Sequence, residues 1–290
     1  MEASYPPLGD RIDLGADFAG QKIHVFQAGP RTAPPVVLIH GASGNLRDFA
    51  FEFIDRISDR FRVIAIDRPG FGYSDRGDGN AHLPDNQAAA MRAAVTAIGV
   101  NRAIIAGHSL GSASALSWAL DAPETVAGVL VLGGVSHPWK GTAGRVYDVG
   151  SVPGVGHMLA GAVAAFVSER RAKSGIEAIF RPQAAPDGYA DYVGVALALR
   201  AATFRYNNLD IGLLKPYLKR RSPEYANLAT PIEIVHGALD TIVPPDVHSI
   251  PLSQKAPNAR LNLLEGVGHM PHHVAPEACE AALDRLSASF

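Results

Sequence analysis

The chain has 290 residues, 47% of them hydrophobic, which is enough for one sizeable core. Its 26 lysines and arginines nearly balance 28 aspartates and glutamates, so it carries no electrostatic footprint for nucleic acid and no charged tail. The single cysteine, Cys279, excludes an internal disulfide and reads as a small buried residue.

The N-terminal MEASYPPLGDR lacks the basic-then-apolar pattern of a secretory signal, so a cytoplasmic location is expected. RIDLG (Arg11 to Gly15) and KIHVFQAG (Lys22 to Gly29) follow without a helix between them and read as an antiparallel edge. PVVLIH (Pro35 to His40), FRVIAID (Phe61 to Asp67), RAIIAG (Arg102 to Gly107) and VAGVLVLGG (Val126 to Gly134) are continuous apolar runs, as in strands covered on both faces. Between them, Leu46 to Ile57, Pro84 to Ile98 and Ser109 to Leu120 have helix length and patterning. From about Ser136 to Ala229 the alternation stops: helical patterns such as Tyr189 to Thr203 appear, without a strong strand. It resumes with IEIVHG (Ile232 to Gly237), Pro245 to Lys255, RLNLLEG (Arg260 to Gly266) and Pro276 to Leu286.

Strand–helix alternation predicts an α/β protein, a parallel sheet with helices on both faces. Residues 1–135 and 230–290 form the expected core, and 136–229 the expected helical cap, inserted over the strand ends. From Val149 to Ser168 there is no charged residue, and we read this stretch as part of a cap over a pocket rather than a membrane span. A weak contact with a lipid surface near Leu159 is a secondary expectation.

Gly107-His108-Ser109-Leu110-Gly111 is a G-x-S-x-G pattern that follows an apolar run and opens a helix. A serine on such a tight turn is lifted above the sheet, and only small neighbours permit the turn. Ser109 is therefore the candidate nucleophile. Of eleven histidines, His269 lies just beyond the last strand, where a loop returns to the carboxyl edge of the sheet; it is the candidate base. His272 and His273 suit surface or capping roles, His108 should point away from the nucleophile, and His40 should pack or bond nearby backbone. Asp240 follows IEIVHG, and the order serine, aspartate, histidine makes it the candidate orienting acid. Asp67, in DRPG, looks instead like the clamp of a turn. The candidate oxyanion donors are the backbone N–H groups of Leu110, next after the serine, and Ala42, in the small-residue loop HGASGN.

In order, VVLIHGASGN, VIAIDRPGFGYSD, AGHSLG, VHGALDTIVPP and GVGHMPH resemble the α/β-hydrolase superfamily over most of the chain, looking closest to bacterial esterase-like members. The resemblance implies an eight-stranded, mostly parallel sheet with a helical cap after strand six. It also implies cofactor-free hydrolysis through an acyl-enzyme. Ser109 stands where epoxide- and halide-processing members carry aspartate, which argues against both activities.

The expected function is a serine hydrolase, a carboxylesterase cleaving esters of small to medium apolar acyl or aromatic groups. No metal site is visible at ligand spacing, and no cofactor is expected. Ser43, Asn45, Trp139, Leu159 and Phe166 are the expected substrate-binding residues, with Phe180, Tyr189, Tyr192 and Phe204 as further aromatics for a pocket wall. The same triad serves carbon–carbon bond hydrolases and cofactor-free perhydrolases or haloperoxidases. A diketone-type substrate would need an arginine nearby, with Arg68, Arg200 and Arg205 as candidates. A non-catalytic binding module is the remaining alternative.

Overall fold

The structure is a computed structural model that describes residues 5–142, 169–288 and 290. Its eight strands are β1 (Asp10–Asp13), β2 (Lys22–Ala28), β3 (Pro35–Ile39), β4 (Arg62–Ile66), β5 (Ala103–His108), β6 (Val126–Leu132), β7 (Ile232–Gly237) and β8 (Ala259–Leu264). They make one sheet in the order β1-β2-β4-β3-β5-β6-β7-β8. The first two pairings, β1 with β2 and β2 with β4, are antiparallel, and the rest are parallel. The expected edge and fold class are both present.

Successive side chains of a strand point to opposite faces, and the core divides accordingly. Val37 and Ile39 of β3 pack with Ile64, Ile105 and Val131, under Met91, Leu116 and Trp118. Val36 and Leu38 pack on the other face with Ile104, Leu130 and Leu132, under Phe49, Phe53 and Leu283. Cys279 is fully buried in this second layer, and burial raises its thiol pKa far out of the reactive range.

The helices before the insertion are α1 (Arg47–Ala50), α2 (Phe53–Ile57), α3 (Pro84–Ala97) and α4 (Gly111–Asp121). One helix was expected over Leu46 to Ile57. It is broken at Glu52, whose φ of −149° leaves the helical region, letting Phe49 and Phe53 reach the same core layer. Between β6 and β7 the described elements are all helical: α5 (Glu169–Phe180), α6 (Tyr189–Tyr192), α7 (Val195–Ala198), α8 (Ala201–Gly212) and α9 (Leu214–Arg221), followed by a 3-10 turn. The expected run from Tyr189 is cut into three because Gly194 has φ +65° and Arg200 is extended at ψ +134°. After β7 come α10 (Ser249–Lys255), α11 (Pro271–Val274) and α12 (Pro276–Ser287). No described helix is long and apolar enough to cross a membrane. The charge-free stretch lies wholly within residues 143–168, outside the described residues.

The inserted helices are joined to the sheet by a buried polar network. Arg68, with no exposed surface, donates to Asp210 Oδ2 (2.9 Å) on α8 and to Gln87 Oε1 (2.9 Å) on α3. Gln87 and Arg76 also donate to Asp210, at 2.9 and 2.5 Å. A second Arg68 nitrogen reaches the carbonyl of Gly41 at 3.3 Å.

Candidate active site

Strands of a parallel sheet end at a common edge, and loops beyond their carboxyl ends collect functional side chains there. Ser109 directly follows β5. Its φ of +51° is strained for a residue with a Cβ. The neighbours hold it there. A Cβ on Gly107 would stand 2.6 Å from the Gly111 backbone, and one on Gly111 would stand 2.4 Å from the Ile39 carbonyl oxygen. The Ser109 N–H donates to Leu132 (2.9 Å) and its carbonyl accepts from Val135 (3.1 Å), which pins both sides of the turn. Leu110 is the N-cap of α4, so the helix opens immediately after the serine.

Asp240 follows β7. Its Oδ1 accepts the backbone N–H groups of Ile242 and Val243, each at 2.9 Å, which fixes the carboxylate. Its Oδ2 receives His269 Nδ1 at 2.7 Å, from the loop after β8. That contact makes Nδ1 the donor and leaves Nε2 as the ring's acceptor. A second imidazole, unforeseen in the sequence, shares the same oxygen: His236 Nε2 lies 3.1 Å away, at the end of β7. Since His236 Nε2 also meets the Val243 carbonyl (2.8 Å), it carries the proton, and its Nδ1 accepts from the Ser249 hydroxyl. Burial would raise the Asp240 pKa. The donors from His236 and His269 outweigh it, and the carboxyl stays well below its ordinary range. The four-residue spacing from His236 to Asp240 was the available signal.

Ser109, His269 and Ala42 line one cavity of about 400 Å³, together with Ser43, Asn45, Asp48, His108 and Met270. Its far wall comes from the inserted helices: Ile176, Ile179, Tyr189, Val193, Val195, Leu199 and Phe204. Ser43 has φ +54° and its N–H donates to Asn207 of α8 (2.8 Å), so the loop carrying Ala42 is tied to the insertion.

Not every expectation for nearby residues fits the structure. His108 does not point away from the nucleophile; it lines the same cavity, and its Nε2 donates to the His269 carbonyl (3.1 Å). His272 and His273 are not at the surface. Their side chains are fully buried, with both Nε2 atoms on Asp48, at 3.2 and 2.8 Å. Asp48 also accepts from the Tyr189 hydroxyl at 2.7 Å. Burial would raise the Asp48 pKa, but His272 and His273 hold it well below the ordinary carboxylate range. This cluster escaped sequence reading because Asp48 and its histidines are 224 and 225 positions apart.

His40 bonds nearby backbone, as expected: Nδ1 donates to Gly41 (2.8 Å) and Nε2 accepts from Arg68 N–H (3.0 Å). Asp67 clamps its turn by accepting Leu46 N–H (2.7 Å) and Tyr73 N–H (2.9 Å). Among the expected substrate-binding residues, Ser43 lines the cavity with its backbone tethered, and Asn45 lines it with its amide engaged by Val193 and Arg47. Trp139 is not brought there; it packs with Val135, Leu214 and Tyr217. Leu159 and Phe166 lie outside the described residues. Tyr189 and Phe204 are in the wall, while Phe180 packs behind Tyr189.

A model of the alpha/beta hydrolase fold family matches residues 34–276. The chain is 28% identical to 2-hydroxymuconate semialdehyde hydrolase of Pseudomonas putida over 243 residues, 81% of this chain and 80% of that protein. It spans only about a third of the length of several other curated relatives. Among solved structures, 2-hydroxy-6-oxo-6-phenylhexa-2,4-dienoate hydrolase from Rhodococcus sp. strain RHA1 superposes with a TM-score of 0.75 at 21% identity, covering 95% of this chain and 96% of that one. The esterase RhEst1 from Rhodococcus sp. ECU1013 gives 0.70 at 22% identity, covering 93% and 96%. With a family match across residues 34–276, most of its length, the chain belongs to the alpha/beta hydrolase family.

Proposed function

We propose that the protein is a serine carboxylesterase in which Ser109 attacks, His269 takes its proton and Asp240 orients the imidazole. The observation that carries this reading is the 2.7 Å contact of His269 Nδ1 with Asp240, on a ring that shares its cavity with Ser109. The tautomer set by Asp240 leaves His269 Nε2 as the proton acceptor the serine needs. The Leu110 and Ala42 N–H groups are the donors for the oxyanion, and helix α4 adds its positive N-terminal end. The acyl-enzyme forms as the alcohol leaves, and water repeats the attack to release the acid.

In this reading residues 136–229 are the cap that shapes the acyl site. The described wall is mainly aliphatic and aromatic, which favours an apolar acyl or aryl group. No arginine or lysine is among the described lining residues. Arg68 is committed to Asp210, Gln87 and Gly41, and Arg200 donates to the Gly72 carbonyl (2.9 Å). A neutral ester therefore suits the cavity better than an anionic dienoate.

The second reading is carbon–carbon hydrolysis of a diketone-type substrate, supported by the likeness to 2-hydroxymuconate semialdehyde hydrolase over 81% of the chain. Labelling with a fluorophosphonate probe tests the nucleophile: wild type labels, and Ser109→Ala does not. Retained labelling in Ser109→Ala would refute the assignment. A panel of p-nitrophenyl esters set against a ring-fission dienoate separates the two substrate classes.

A further inference from the structure

We propose that Asp48, His108 and His272 form a binding site for one divalent transition-metal ion, with zinc as its probe, opening on the Ser109 cavity. The site is independent of the esterase reading. One ligand atom from each of the three lies within 4.8 Å of the other two, and all three side chains are buried. Asp48 and His108 also line the cavity, which gives an ion a way in and leaves a coordination position facing the pocket.

Three observations carry the inference. The first is the protonation pattern. His108 Nε2 faces a carbonyl, which can only accept, so this nitrogen holds the proton. In the neutral ring, Nδ1 is then a lone pair. It faces Asp48 Oδ2 at 3.7 Å, acceptor against acceptor. A cation between the two acceptors removes the conflict.

The second is spacing. Two atoms each about 2.1 Å from a tetrahedral ion lie about 3.4 Å apart. The Asp48 Oδ2 contacts, 3.7 Å to His108 and 3.2 Å to His272, bracket that figure. His272 Nε2 is nearly equidistant from both Asp48 oxygens, at 3.3 and 3.2 Å, so it aims along no single hydrogen bond. The third is support. The backbone carbonyl behind His108 is the kind of outer partner that fixes a ligating imidazole, and Tyr189 and His273 hold the far Asp48 oxygen. Among the described residues, every ion-pair partner of Asp48 is a histidine, so no arginine or lysine competes with an ion. Two imidazoles and a carboxylate with an open position match zinc's preferences.

The test is calorimetric titration of tag-free, chelator-dialysed protein with zinc sulfate, alongside cobalt(II) absorption spectra. Wild type should bind one equivalent with micromolar or tighter Kd and give the intense visible bands of four-coordinate cobalt. His108→Asn and Asp48→Asn should each weaken zinc by about 100-fold. His108→Asn leaves the Asp48 bonds to Tyr189 and His273 in place, and near-ultraviolet circular dichroism checks that each variant is folded. Absence of zinc binding by wild type at micromolar concentrations, or undiminished binding in folded His108→Asn, overturns the proposal.

Discussion

His236 and His269 donate to the same oxygen of Asp240, at 3.1 and 2.7 Å, from the ends of adjacent parallel strands. The carboxylate is thus held by two imidazoles and two backbone N–H groups, and only one of the imidazoles reaches the Ser109 cavity. Replacing His236 by phenylalanine removes a donor to a buried charge without removing the His269 contact. His236→Phe should lose about 2 kcal/mol of stability in urea titrations. Its kcat on p-nitrophenyl acetate should fall about tenfold with KM little changed, the equivalent of about 1.4 kcal/mol in the transition state. An unchanged kcat would confine His236 to folding.

Asp240→Asn tests the tautomer directly. The remaining amide oxygen can still accept from Ile242 and Val243, so the loop persists. The amide nitrogen would face His269 Nδ1, donor against donor, and the ring would reverse its proton. Such a reversal costs kcat about 10⁴-fold in serine hydrolases. A loss smaller than tenfold would remove Asp240 from the proposed role.

Arg68 and Asp210 give a test of how the inserted helices are fastened. Both are buried, and removing Asp210 leaves the Arg68 charge without its carboxylate, whereas removing Arg68 leaves Asp210 paired with Arg76. Asp210→Leu should destabilise by about 3–5 kcal/mol, whereas the double variant Arg68→Met with Asp210→Leu should recover part of that loss. Differential scanning calorimetry of the four-protein cycle reads the coupling. Simple additivity would mean that the two side chains act separately.

Acid stability follows from histidines that fold uncharged. Burial holds His40 at a pKa of about 4 and His248 at about 3, against 6.5 for the free ring. Below pH 6.5 the unfolded chain takes up protons that the folded chain refuses, so stability falls as pH drops from 6.5 toward 4. Where both differences are fully expressed, each histidine contributes about 1.4 kcal/mol per pH unit. Unfolding free energies measured in urea at pH 7, 6 and 5 should fall progressively. A flat profile would mean that these rings are already protonated in the fold.

Much of this was legible in the residues. Strands bounded by Gly, Pro and Asp were found because continuous apolar runs have few other uses in a near-neutral chain. Ser109, Asp240 and His269 stand out in the sequence because each lies just past such a run, and the structure brings His269 onto Asp240 and into the Ser109 cavity. Asp48 was not, since it lies within an ordinary-looking helix and gains its meaning only from His272 and His273 at the far end of the chain. His108 was misjudged for a related reason: the turn geometry gave the direction of Ser109, but nothing local said that the His269 carbonyl would draw the neighbouring ring into the pocket. Trp139, expected among the aromatics of an apolar pocket wall, packs instead with Leu214 and Tyr217.

The two glycines around Ser109 have no space for a methyl group, and the obstructing atoms are main chain. Mutational libraries at Gly107 or Gly111 should therefore be almost barren, because backbone cannot step aside as a side chain can. Val193, Val195 and Leu199 meet the cavity from the ends of short helices that meet at the Gly194 corner, and variation there leaves the serine turn untouched. The molecule thereby separates an inheritance that tolerates little change from a surface that can be retailored, and new selectivities should be sought on the second alone.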